Sequence, residues 1–313
     1  IQQEKEKEML DERLQIRYVD LTFMLEIERR GTLPRNKVSA LRGGLGQMLL
    51  EQNCIRDRKC DACDFEKECL VRRTIYSKYD IQPTFANHGN SIGYVIECEN
   101  LREQFEEGER LYFHLLLFGK TIMYFSQFLQ GFYMLGQQGL GKEHIPYQII
   151  QVRNEQGVPV VNGYQVDLQK LGITTIDDYV KNRLREFPRE KKEYTLKFQS
   201  PVSIKHDGNF IREFSAEAIA RSSLRRVFNF DCFEGIEVEY PELDDMPETI
   251  LQSARPVSVR RVSSNSGKME LHGILGELII SNVSEELLCY LLACEKLHIG
   301  KNTSFGFGRY VVH

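Results

Sequence analysis

The sequence predicts an α+β protein built from two ferredoxin-like (RRM-like, βαββαβ) units in tandem. Residues 15–152 read strand, helix, strand, strand, helix, strand once a polar, cysteine-bearing insert is set aside. The same order returns between Tyr194 and Val312. Each half also closes with a helix, a glycine-bearing loop containing Gly-Lys, and a strand. These are "GFYMLGQQGLGKEHIPYQIIQV" in the first half and "LLACEKLHIGKNTSFGFGRYVV" in the second. The first unit is assigned to 1–165, including a charged leader and the insert at 52–80. A connector covers 166–193 and the second unit 194–313.

The elements follow in order. The leader "IQQEKEKEMLDERLQ" is charged and helix-prone and lacks the apolar centre of a signal peptide. Gln15–Glu28 carries the recurring aliphatic and aromatic residues of a strand. Leu33–Gln52 has helical spacing through Val38, Leu41, Leu45, Met48 and Leu49, and its glycines predict a close neighbouring backbone. "GYVIEC" and Arg110–Gly119 read as strands, Thr121–Gln138 as an apolar-faced helix and "YQIIQV" as a strand. Asn154–Glu193 reads as a connector with a short helix in "TIDDYVKNRLREF". In the second unit Tyr194–Ile204 is a strand and Phe214–Phe230 a helix, followed by the acidic stretch Phe233–Glu248. "PVSVRRVSS" and "KMELHGILGELIIS" form a strand pair. Ser284–His298 is a helix opened by a serine cap without the reciprocal glutamate of a capping box, and "RYVV" closes the fold.

Composition narrows the function classes. With 42% apolar and 27% charged residues the chain is of the soluble globular kind, and no run reaches the roughly 18 apolar residues of a membrane helix. A cytoplasmic location is the expectation. The net charge of −4 disfavours a general polyanion binder, yet the charge is patchy. Ser253–Met269 carries only bases, at Arg255, Arg260, Arg261 and Lys268. That stretch is either a face for a polyanion or a solvated surface strand.

Four of the eight cysteines, Cys54, Cys60, Cys63 and Cys69, are spaced C-x5-C-x2-C-x5-C in a short polar loop. In a reducing compartment such a cluster points to tetrahedral zinc; disulfides, an iron–sulfur cluster and idle thiols are the alternatives. Four thiolates leave a zinc ion no open position, so the expected role is structural. Cys98, Cys232, Cys289 and Cys294 sit in apolar surroundings and read as core.

The terminal stretch "HIGKNTSFGFGRYVV" admits three readings. A nucleotide P-loop needs its helix after the loop, and here the helix comes first. A helix end with Gly300 as left-handed cap explains Gly300 and leaves Gly306 and Gly308 unexplained. The third reading is a backbone grip in which the amides of Gly300, Gly306 and Gly308 follow a polyphosphate chain. Lys301 and Arg309 add charge, Arg260 and Arg261 extend the track, and Phe305 and Phe307 stack bases or pack in the core.

Together with "LRGGLGQML" before the cysteine loop, "YFHLLLFGKT", "TLKFQSPVSIKHDG" and "SGKMELHGILGELIIS", this loop resembles the RAMP superfamily. Within it the chain is similar to CRISPR repeat-processing endoribonucleases over nearly its whole length beyond the leader. The resemblance implies binding of CRISPR repeat RNA, maturation of precursor crRNA and contact with effector-complex subunits. It also implies metal-independent cleavage in which a 2′-hydroxyl attacks the adjacent phosphate, leaving 2′,3′-cyclic phosphate and 5′-hydroxyl ends, with no catalytic cofactor. Such chemistry needs a base, an acid and a cation for the developing charge. The better-known members of that family keep a histidine in or just after the first helix of the N-terminal domain, and Leu33–Gln52 has none.

The catalytic candidates are therefore His298, beside the glycine loop, and His88, in "FANHGNS". Lys37 and Arg42, with Lys301, are candidates for charge stabilisation, and Tyr76 is a weaker one. Against His298, a histidine in a last helical turn also complements the helix dipole. His114 and His272 alternate with apolar residues and read as packed or paired. A non-catalytic RAMP-type guide-RNA-binding subunit is the rival reading, favoured by the missing helix histidine. A two-domain metabolite-binding protein is a third, disfavoured by the basic strand.

Overall fold

Alternation of apolar and polar residues decides the centre of the first half. In a computed structural model, the described residues are 13–313 except 56–57, 59, 61–62, 67, 76–78, 80, 82, 84–91, 189–190, 207 and 264–266. Side chains of 261–263 and 267–268 also lie outside the description. The first half comprises β1 (Arg17–Ile27), α1 (Val38–Asn53), α2 (Leu70–Thr74), β2 (Tyr94–Glu97), β3 (Arg110–Phe118), α3 (Phe125–Gln138) and β4 (Tyr147–Arg153). Along β1, Val19, Leu21, Phe23, Leu25 and Ile27 are buried, while Asp20, Thr22 and Met24 face the other side and stay partly open. β1 pairs antiparallel with β3 and β4, and β2 pairs with β3, giving the order β2-β3-β1-β4.

Helices α1 and α3 cover the apolar face. Phe23 stacks on Phe113 at 4.7 Å, and Phe132 of α3 lies 4.9 Å from Phe113. The glycines of α1 have the expected reason: a Cβ on Gly44 would stand 2.4 Å from the Leu135 side chain of α3.

The segment read as a connector does more than connect. It forms β5 (Pro159–Asn162) and β6 (Gln165–Val166), which extend the first sheet beyond β4, and then α4 (Ile176–Leu184). Thr174–Thr175 pairs back onto β1. Thr175 caps α4 by accepting from the Asp178 amide.

The second half comprises β7 (Tyr194–Phe198), α5 (Ala216–Glu234), β8 (Glu248–Ser263), β9 (Gly267–Ser281), α6 (Glu285–Leu297) and β10 (Tyr310–Val312). Its sheet runs β8-β9-β7-β10, all antiparallel. Counted along each half, the four principal strands stand in the same order: second, third, first, fourth. Ser215 and Ser284 cap α5 and α6 through the third amide beyond them.

The halves share their cores. Strand β2 is buried on both faces: Tyr94 and Ile96 join the first core, while Val95 joins the second. Leu116 and Phe118 of β3 also point into the second core, where Phe118 meets Phe230 edge-on at 5.0 Å. In return Phe305 and Phe307, near the chain's end, pack in the first core. Among the described residues no helix is long and apolar enough to cross a membrane.

Candidate functional site

The glycine loop between α6 and β10 is a plug joining the two halves. Its amides serve the protein itself: Lys301 N–H donates to Ser203 O at 2.8 Å, Gly306 N–H to Thr303 O at 2.8 Å and Gly308 N–H to Pro201 O at 2.8 Å. Gly306 and Gly308 have φ of +76° and +79°. A Cβ on Gly308 would stand 1.9 Å from Ile299 O, and one on Gly306 would stand 2.9 Å from Ile96 O of β2. Close backbone approach thus accounts for both glycines, and for Gly300, whose Cβ would meet Ser203 O at 2.5 Å. For Gly306 and Gly308 the expectation that their amides follow an RNA backbone is corrected, because both donors are already bonded internally. Gly308→Ala combines a left-handed φ with a backbone clash, and its cost is expected to be about 2 kcal/mol or more in urea unfolding.

His298 sits at the C-terminal cap of α6 with φ +58° and 0% exposure. Its Nδ1 lies 2.8 Å from Phe307 O and its Nε2 2.7 Å from Glu97 Oε1. Arg309 reaches the other Glu97 oxygen at 3.0 Å and Glu99 at 2.5 Å. Burial by itself would push the Glu97 carboxyl up; the hydrogen bond and charge of His298, with Arg309, outweigh it and hold the group below the usual range. His298 is thus a pin from α6 to β2. A catalytic acid or base must touch the RNA, and both nitrogens of this ring face inward.

Lys37 is corrected in the same way. It is fully buried, and its ammonium donates to the carbonyls of Pro34, Arg35, Asn100 and Arg102, the last at 2.5 Å. Burial pushes its pKa down. This ammonium fastens the start of α1 to the loop before β3 and has no path to a phosphate. Arg42 is half-buried, with its guanidinium 4.1 Å above Phe305 and its Nε donating to Ser304 Oγ at 3.2 Å. Phe305 is 7% exposed and Phe307 1%, so neither offers a face to a base. The Lys301 ammonium lies 5.5 Å from the Phe210 ring. Arg260 is exposed on β8 opposite Glu270; Arg261 stands opposite Met269, and its side chain lies outside the description. His88 and Tyr76 fall outside the described residues.

The open titratable site lies elsewhere, on the uncovered face of the first sheet. A cleft of about 430 Å³ is lined by Asp20, Thr22, Tyr112, His114, Arg153 and Lys296, among others. Thr22 and His114 are direct cross-strand partners on β1 and β3. His114 Nδ1 lies 3.3 Å from Asp20 Oδ1 and 3.4 Å from Thr22 Oγ1, and the ring is 41% exposed. Lys296, on α6 of the second half, reaches across to Asp20 Oδ2 at 2.8 Å and Glu155 Oε1 at 2.9 Å. Tyr18 donates to Glu155 Oε2 at 3.0 Å.

The hydrogen bond to Asp20 raises the His114 pKa against the opposing effect of burial, so the ring holds its proton nearer neutrality. Burial alone would raise Asp20, but His114 and Lys296 pull it down to about 2. Lys296 is raised despite burial by the two carboxylates it touches. The cleft therefore presents a protonatable imidazole and two permanent cations, with its carboxylates turned toward the groups they orient.

Two sequence-family comparisons bear on this arrangement. Residues 14–171 match the AF_1859_N N-terminal domain family, and residues 196–310 match the family of the CRISPR-associated endoribonuclease Cas6. Residues 196–310 form a domain of the Cas6 family. Among curated proteins, none matches it. Of solved structures, a partial Cas6-RT-Cas1–Cas2 complex is similar with a TM-score of 0.57 and 14% identity over 95% of this chain. Two Cas6 product complexes each give a TM-score of 0.51 and 16% identity, covering 95% of this chain and 99% of theirs. At these identities the likeness is one of fold. The chain spans 46% of the Cas6-RT-Cas1–Cas2 protein in the partial complex and 29% of it in a further complex.

His114, read from the sequence as packed or paired, is paired with Asp20 and also stands in the open cleft, a position with its own signature in the sequence. The signal was present: in "RLYFHLLLF" the residues Arg110, Tyr112 and His114 alternate on the open face of β3. Asp20 and Thr22 do the same on β1. Lys296 had no local signal, since it arrives from a helix 276 residues beyond Asp20. His272, read as packed or paired, is exposed on β9.

Proposed function

We propose that this chain binds CRISPR repeat RNA and cuts precursor crRNA, through metal-independent attack of a 2′-hydroxyl on the adjacent phosphate. The match of residues 196–310 to the Cas6 endoribonuclease family carries the reading. Two ferredoxin-like halves, suggested by the shared strand order, form the scaffold on this view, and contact with effector-complex subunits belongs to the same proposal. His114 serves as the acid. As the 2′-oxygen bonds to phosphorus and the P–O5′ bond breaks, its Nε2 proton passes to the 5′-oxygen, while the 2′-hydroxyl proton leaves to solvent. Asp20 orients the ring and favours its protonated form. Lys296 and Arg153 line the same cleft and meet the charge that develops on the phosphate.

A second reading, a guide-RNA-binding subunit without nuclease activity, is favoured by one observation. Two of the catalytic candidates, His298 and Lys37, are sealed inside. The separating experiment incubates the protein with transcripts of candidate CRISPR repeats in excess EDTA and analyses product sizes and ends. Single-site cutting that leaves cyclic phosphate is expected. Tight binding without product would establish the second reading, and cutting that requires added magnesium or manganese would refute the mechanism.

A further inference from the structure

The cysteine insert between α1 and β2 is not used by the proposed chemistry, and its physical state calls for an explanation. Among the described residues from Cys54 to Leu70 none is buried; Ile55 is 73% exposed and Phe65 51%. A segment with so little apolar burial does not stabilise its own fold, and small units of this kind are held by cross-links or metal. All four cysteines are half-buried thiols rather than disulfides. All four also line one cleft of about 320 Å³, beside Leu50, Leu70 and Arg72.

Their placement is specific. Cys54 is the C-terminal cap residue of α1 and Cys69 the N-terminal cap residue of α2. Cys60 and Cys63 lie between them in the sequence and are joined by the Cys63 N–H to Cys60 O bond at 3.3 Å. Arg58 has φ +61°, a conformation that costs energy for a residue with a Cβ. In that conformation the Arg58 amide donates to Cys54 Sγ at 3.3 Å. An amide aimed at a sulfur is of the kind that stabilises a metal-bound thiolate.

We infer that Cys54, Cys60, Cys63 and Cys69 form a closed tetrathiolate zinc site that fastens the insert to the end of α1. Among the described residues no three ligating side chains stand at metal-holding distance as placed. Binding therefore draws the thiols inward from the walls of their shared cleft and folds the insert around the ion. Four thiolates leave no open coordination position, which gives the ion a structural role.

The test uses the full chain purified under reducing conditions without added metal. Elemental analysis is expected to give about one zinc per chain, fully lost in a Cys60→Ser/Cys63→Ser variant and retained in Cys98→Ser. To separate loss of metal from loss of fold, the native chain is also stripped and titrated with cobalt(II). The visible bands of tetrahedral thiolate cobalt, displaced by an equivalent of zinc, are expected. Absence of metal, iron with acid-labile sulfide, disulfide formation under these conditions, or octahedral cobalt spectra would each overturn the inference. Metal content is read independently of RNA cleavage, so the outcome stands apart from the proposed nuclease activity.

Discussion

His298→Ala is expected to destabilise the protein by about 2–4 kcal/mol while leaving the cleft on the first sheet in place. The ring is fully enclosed and links Phe307 O to Glu97 across the two halves. Removing one partner of a buried charged pair typically costs about 3–5 kcal/mol, because the remaining charge loses its partner. Here Glu97 keeps Arg309 at 3.0 Å, which lowers the expected cost. An exposed pair such as Arg221–Glu217 contributes at most about 1 kcal/mol by comparison. Urea unfolding of His298→Ala, Glu97→Gln and the double variant checks this, with strong coupling between the two positions expected.

Two carboxylates, one in this network and one in the sheet-face cleft, set the response to acid. Glu97 and Asp20 both titrate lower in the folded state than in the unfolded chain. Their stabilisation is complete above the ordinary carboxylate range and is lost as pH falls through the folded values. For Asp20 that window runs from about 4 down to about 2, with a contribution on the order of 2 kcal/mol. Stability measured across this window should therefore fall with decreasing pH, and less so in Asp20→Asn.

His114→Ala is expected to slow cleavage of a repeat transcript by about 10²–10⁴-fold, the usual contribution of a positioned proton donor. The residue is 41% exposed and faces a sheet surface, so its removal leaves no buried cavity and the fold should persist. RNA affinity should change little, since Lys296 and Arg153 remain in the cleft. Because Asp20 raises the His114 pKa, the acidic form persists to higher pH than for an isolated imidazole. The single-turnover pH profile should accordingly fall on the alkaline side, and Asp20→Asn should move that limb to lower pH.

Much of the architecture was legible in the sequence because it rests on local periodicity. The alternation of β1 and the spacing of Val38, Leu41, Leu45, Met48 and Leu49 require only the pattern of neighbouring residues. The hairpin at 159–166 escaped because its strands are four and two residues long, too short for a period to show. The functional residues were harder to read, for a physical reason. Glycine permits both close approach to a phosphate and close approach to another protein backbone, and Gly306 and Gly308 take the second use. His298 and Lys37 look catalytic by type and position in the chain, but burial is a property of the assembled halves. In the other direction, His114 gains its character from Asp20 on the adjacent strand and from Lys296 on α6, which only the folded chain brings together.

Single-turnover cleavage of one repeat transcript by His114→Gln and His298→Gln, compared side by side at a temperature where both are folded, separates the two sites most directly. The geometry predicts that His114→Gln binds RNA but loses cleavage, while His298→Gln cuts at close to the native rate. Native-rate cutting by His114→Gln, with loss confined to His298→Gln, would contradict the placement of the chemistry in the sheet-face cleft.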